Sequence, residues 1–160
     1  MKQLFLIRHG EAELSYAGIS DHDRELTQKG IIDSTRLGYY LKSHYATFDK
    51  IFHSSAFRAS TTAQLIAEQM KQEKDILEVA PMLYQTSTGG LHNFICNLED
   101  SLKNVAIIAH NPTLNYFLEY ITCESGISFP PAGCTVVEFD VQSWAEITQG
   151  MGYLKYTQGM

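Results

Sequence analysis

Two of the six histidines in this 160-residue chain stand where short apolar runs stop. His9 lies in Arg8-His9-Gly10, after Leu4-Phe5-Leu6-Ile7, and His110 opens His110-Asn111-Pro112, after Val105-Ala106-Ile107-Ile108-Ala109. Neutral imidazole is nucleophilic near pH 7. An adjacent arginine neutralises the oxygens of a phosphoryl group, and a following glycine lets backbone approach the phosphate with no Cβ in the way. Arg8, His9 and Gly10 therefore suit phosphoryl transfer onto the His9 ring. Three residues make a short motif, and a histidine at a strand end commonly does no more than pack, so other segments must add to it.

Arg58 adds to it. The chain has four arginines, Arg8, Arg24, Arg36 and Arg58. The turn at Ser54-Ser55, followed by Ala59, Thr62, Ala63, Ile66 and Met70 at helical spacing, puts Arg58 in the first turn of a helix. The macrodipole disfavours a cation there unless an anion sits beside it. His110 adds a second imidazole, and Asn111 and Pro112 suit the N-cap and first position of a helix carrying Leu114, Phe117, Leu118 and Ile121. Free amides of that helix would then point at an anion beside His110.

The elements that must hold these residues follow from periodicity. Leu4–Ile7 and Val105–Ala109 read as strands buried on both faces, which puts His9 and His110 at their carboxyl ends. Thr27 is a plausible cap for a helix running to about His44, with Ile31, Leu37, Leu41 and Tyr45 on one face. Residues 49–53 and 76–79 read as short strands, and Leu91, Phe94, Ile95 and Leu98 have amphipathic helical spacing. Cys134 to Asp140 reads as a strand, and Trp144 to Tyr156 as one or two more. The alternation predicts an α/β domain with a mainly parallel sheet covered on both faces, binding its ligand where strand ends open into loops.

Composition narrows the function. A length of 160 residues, 44% hydrophobic and 19% charged, predicts one globular domain over residues 1–160. The net charge of -6 and the lack of a Lys/Arg cluster argue against nucleic acid or an anionic membrane as partner. The first apolar run is shorter than the roughly 7 to 15 residues of a signal-peptide core, which gives a cytoplasmic expectation. Cys96, Cys123 and Cys134 form no CxxC pair and are expected to be reduced thiols. A monomer is the expected state.

Four blocks come in an order that resembles the histidine phosphatase superfamily: Leu6 to Glu11, Asp21 to Gly30, Ser54 through Arg58-Ala59 to Thr62-Ala63, and His110-Asn111-Pro112. Small size and block spacing resemble its SixA-type phosphohistidine phosphatase branch. The resemblance implies a phosphoglycerate mutase-like, three-layer α/β/α sandwich with no metal or cofactor. It makes His9 the phosphorylated nucleophile and gives Arg8, Arg58 and His110, with Asn111 beside them, the phosphate. Among Glu11, Asp21 and Asp23, position in the block favours Asp21 as proton donor. Two departures stand out: Ser54-Ser55 where the family usually has Ser-Pro, and no carboxylate in Pro81 to Thr88, where phosphoglycerate mutases carry an acid.

The expected activity is hydrolysis through a phosphohistidine enzyme intermediate, on phosphohistidine in a phosphorelay protein or on another phosphoramidate or phosphomonoester. The alternatives are a phosphomonoesterase or mutase for small metabolites, a non-catalytic module that binds phosphorylated proteins, and a metal hydrolase built on His9, His110 and a carboxylate. Arginines beside the ligands repel a divalent cation, and no HExxH spacing is present.

Overall fold

The computed structural model describes residues 1–157. Six strands form one sheet: β1 (Lys2–Arg8), β2 (Lys50–His53), β3 (Leu77–Val79), β4 (Asn104–Ala109), β5 (Cys134–Phe139) and β6 (Tyr153–Thr157), in the order β3-β2-β4-β1-β5-β6. The first four in that order are mutually parallel, whereas β5 runs antiparallel to both β1 and β6. Four helices cover the sheet: α1 (Gln28–His44), α2 (Phe57–Gln69), α3 (Thr88–Cys96) and α4 (Thr113–Thr122). The expected three-layer α/β/α sandwich is present.

The run Leu4-Phe5-Leu6-Ile7 shows why β1 is central. All four side chains are fully buried. Period-two alternation sends Leu4 and Leu6 into one core with Leu91, Ile95, Leu114 and Phe117 of α3 and α4. Phe5 and Ile7 go to the other face, against Leu37, Leu41, Ala63 and Ile66 of α1 and α2. Each such side chain contributes about 2 kcal/mol on burial, so neither layer can shift without cost to β1.

Three local expectations need correction. The buried face of α1 is Gly30, Ser34, Leu37, Gly38 and Leu41, while Ile31 is 37% exposed and Tyr45 lies past the helix end. Small residues on that face bring α1 against the loop after β1: a Cβ on Gly30 would stand 2.1 Å from the Glu11 carbonyl oxygen. Between Trp144 and Tyr156 there is only β6. Trp144 begins a short 3₁₀ turn, fully buried, with its indole N–H donated to the Leu102 carbonyl at 2.9 Å. The third correction, at Asn111, belongs to the site. Among the described residues no helix is long and apolar enough to cross a membrane.

Candidate active site

β1 and β4 are direct neighbours in parallel register, with Arg8 opposite Ala109, so their tips deliver His9 and His110 side by side. The ring centroids lie 5.0 Å apart. α2 begins where β2 ends, on the other side of β4, and its first turn carries Arg58 between the two rings. Arg58 Nε lies 3.3 Å from His9 Nε2, and Arg58 Nη2 lies 3.4 Å from His110 Nδ1. The guanidinium is buried, at 5% exposure. Arg8, His9, Arg58, His110, Asp21 and Asn111 all line one cleft of about 390 Å³. A larger groove of about 640 Å³ lies along Phe52, Phe94 and Leu98, but its one cation is Lys50 and it contains no histidine.

The His9 ring is held in one orientation and one tautomer. Its Nδ1 lies 2.7 Å from the Gly10 carbonyl. A carbonyl only accepts, so Nδ1 carries the proton and Nε2 keeps its lone pair toward Arg58. Burial, reinforced by the charges of Arg58 and Arg8 and opposed by the Gly10 hydrogen bond, lowers the His9 pKa to about 4. The ring is therefore neutral at physiological pH, as a nucleophile must be.

Gly10 has a packing reason as well. A Cβ there would meet Ser34 Oγ at 2.6 Å and the Gly30 carbonyl oxygen at 2.8 Å, so the glycine accommodates the start of α1. The Gly10 amide donates to Thr62 Oγ1 at 3.0 Å, and Thr62 donates to the Arg58 carbonyl at 2.8 Å. That hydroxyl ties the strand end carrying His9 to the helix carrying Arg58.

His110 is held by a residue that the sequence reading treated only as part of a turn. Ser54, at the tip of β2 and fully buried, places Oγ 2.7 Å from His110 Nε2 and accepts from the Ala56 amide at 3.2 Å. Its own position was the available signal, because β2 lies beside β4 and ends level with it. Burial, with the neighbouring His9 and Arg58, lowers the His110 pKa to about 3, so this ring is also neutral.

Asn111 does not cap α4. The residue before the helix is Pro112, which supplies no capping side chain, and Asn111 Nδ2 donates to the Phe129 carbonyl at 3.1 Å. The Leu114 amide bonds back to the His110 carbonyl at 3.2 Å, so it is not free for an anion. Phe129 also accepts from Arg8 Nη1 at 2.9 Å, while Arg8 Nε and Asn111 Oδ1 are buried without partners. One carbonyl thus orients both side chains at the cleft.

Asp21 reaches the cleft on a loop clamped at its base, where Ala12 pairs with Leu26 and the Glu13 amide bonds the Glu25 carbonyl. Arg58 Nη1 donates to the Asp21 carbonyl at 2.7 Å and Nη2 to its carboxylate at 3.2 Å. The anion expected beside Arg58 is, in this state, Asp21. Tyr84 donates to the same carboxylate at 2.6 Å, and Arg24 pairs with it at 2.9 Å. The Tyr84 hydrogen bond first, then Arg58 and Arg24, hold the Asp21 pKa at about 2. The carboxylate is therefore ionised in this arrangement, and Asp21 lines the cleft beside Arg58. Glu11 lines the cleft and is bonded by the Thr27 hydroxyl at 2.9 Å, and Asp23 is bonded by Ser20. Tyr84 comes from the stretch that lacks a carboxylate and went unnoticed, because a tyrosine between two loops carries no periodic signal.

A 2,3-bisphosphoglycerate-dependent phosphoglycerate mutase of Methylorubrum populi is 41% identical over 71 residues, which covers 43% of this chain and 34% of that one. The chain thus spans about a third of the length of the relatives it matches. Among solved structures, a putative phosphohistidine phosphatase SixA from Nakamurella multipartitia superposes with a TM-score of 0.86 at 21% identity, covering 99% of this chain and 95% of that one. A protein histidine phosphatase SixA complexed with tungstate gives 0.83 at 24%, covering 97% and 95%. These likenesses show the fold. The family model for the Histidine phosphatase superfamily (branch 1) matches residues 4–89, more than half of the sequence, and the chain belongs to that superfamily.

Proposed function

We propose that the protein is a metal-independent phosphatase that works through a phosphorylated His9 and takes its phosphoryl group from phosphohistidine in a protein. One observation carries this reading: a neutral His9, with Nδ1 bonded to Gly10, keeps Nε2 unprotonated at the cleft, where it accepts from Arg58 Nε at 3.3 Å until a phosphoryl group takes over that donor. His9 Nε2 attacks phosphorus and forms an N–P bond while the bond to the leaving nitrogen or oxygen breaks. The leaving atom keeps the electron pair and is protonated by solvent. Water then attacks the phosphorus of phospho-His9, releasing phosphate and neutral His9 with a proton lost to solvent.

Arg58 and Arg8 neutralise the equatorial oxygens. An incoming phosphoryl group displaces the Asp21 carboxylate from Arg58. His110 joins them by a change of tautomer: in the free site Arg58 donates to its Nδ1 and Nε2–H donates to Ser54. With phosphate bound, the Ser54 hydroxyl turns to donate to Nε2, and Nδ1–H points at a phosphoryl oxygen. An imidazole leaving group needs less acid assistance than an alkoxide, which suits a site whose nearest carboxylate is ionised. Names among the relatives and structural neighbours support the class, since they include mutases and phosphohistidine phosphatases.

Labelled phosphate should be trapped on His9 from a phosphohistidine protein and lost in His9→Ala, with turnover unaffected by EDTA. Full turnover by His9→Ala overturns the mechanism. Faster turnover of small metabolite esters than of a phosphohistidine protein replaces the substrate reading with the metabolite phosphomonoesterase. Return of the label to a metabolite replaces it with the mutase.

A further inference from the structure

A second cleft, of about 470 Å³, adjoins the first and shares Tyr84, Gln85, His110 and Asn111 with it, but is lined by none of Arg8, His9, Arg58 or Asp21. It begins where the phosphate site ends. The aromatic rings step outward from the nucleophile, His9 to His110 at 5.0 Å and His110 to Tyr84 at 5.8 Å. In-line displacement requires the leaving group to depart on the side of phosphorus away from the attacking nitrogen.

We propose that this second cleft is the leaving-group subsite, and that it selects phosphoryl compounds whose leaving group carries no second negative charge. The inference rests on the phosphatase reading above. The further lining residues are neutral: Thr86, Ser87 and Thr113 supply hydroxyls, while Leu83, Ala109 and Pro112 supply apolar surface. No lysine or arginine lines the cleft. His110 does not supply a positive charge either, because its pKa is near 3. At the junction stands the ionised Asp21, accepting from Tyr84 at 2.6 Å. A carboxylate on the leaving group would lose water on entering and find no cation among the residues lining this cleft, since Arg24 and Arg58 belong to the first cleft and are paired with Asp21. A neutral ring or alcohol meets hydroxyls, an amide and the Tyr84 ring, all of which suit it.

A matched pair of probes tests this: phenyl phosphate and 3-carboxyphenyl phosphate, which have similar reactivity at phosphorus and differ by one remote anion. The wild-type protein should favour phenyl phosphate by about tenfold in kcat/KM, the factor that an unpaired partly buried charge costs. Gln85, exposed and at the junction, tests the location. Gln85→Arg should bring the two esters within about threefold of each other. If Gln85→Arg loses activity on phenyl phosphate, Thr86→Lys in the same cleft repeats the test. Equal turnover of the two esters by the wild-type protein overturns the proposal, and so does discrimination that neither cation relieves. Phospho-His9 formed equally from both esters sinks the subsite alone; no phospho-His9 from either sinks the phosphatase reading and the subsite with it.

Discussion

The tips of β1 and β4 begin alike and end differently. Both are apolar strands buried on both faces, both run in the same direction, and each presents a histidine to the same cleft. The β1 histidine is fixed by its own chain, through the next carbonyl, and its other nitrogen is left unprotonated, accepting from Arg58 Nε at 3.3 Å. The β4 histidine is fixed by a neighbouring strand, through the Ser54 hydroxyl, which can either accept or donate. Strand-end position brings an imidazole to a site; in the mechanism proposed, the partner of its second nitrogen decides whether it serves as nucleophile or as adjustable hydrogen-bond donor.

That contrast can be broken from either side. The largest effect belongs to His9→Ala, which should abolish phosphoenzyme and turnover while leaving phosphate binding measurable by calorimetry. His110→Ala should keep a trappable phosphoenzyme but lower kcat by roughly 10² to 10³, the usual loss for one transition-state donor. Equal effects of the two substitutions on phosphoenzyme formation would erase the distinction. Ser54→Ala should lower kcat by about tenfold with little change in KM, the worth of one orienting hydrogen bond. The ¹⁵N shifts of the His110 ring should then stop responding to added phosphate, a readout that simple loosening of the turn would not produce. Asp21→Asn is expected to change kcat by less than about tenfold, whereas removal of a true general acid costs about 10² to 10⁴.

The smallest effect is one of pH. Both histidines titrate below their ordinary range, near 4 and near 3, so each stays neutral as pH falls from 7 to 5. kcat/KM, corrected for ionisation of the substrate, should be flat across that interval. Stability behaves differently. Between the ordinary histidine pKa of 6.5 and about 4 the unfolded chain takes up protons that the folded site refuses, so the melting temperature should decline as pH falls through that window. His9→Ala should flatten part of that decline.

The convergence of Arg8, His9, Arg58 and His110 was legible in the sequence because it depends on two strong local signals. Short apolar runs mark strand ends, and a helix begins just before Arg58. The superfamily was legible from four ordered blocks. What stayed hidden depends on register and on loops. Ser54 meets His110 because β2 is inserted beside β4, a contact spanning 56 positions of sequence. Tyr84 and Asp21 meet across 63 positions, from two short 3₁₀ turns that carry no periodic pattern. The packed face of α1 was misassigned for another reason: apolar periodicity weighs bulk, and this interface is built from Gly30, Ser34 and Gly38 as much as from leucines.

The alternation of side chains along β1 has one more consequence. Successive residues of a single seven-residue strand anchor opposite helical layers, and His9, the proposed nucleophile, stands one step beyond its end. Neither layer can loosen alone and spare the reacting centre, so catalytic competence reports on the integrity of the entire molecule. In a urea titration, turnover and helical signal should vanish at one common midpoint, leaving no folded but inactive species between them.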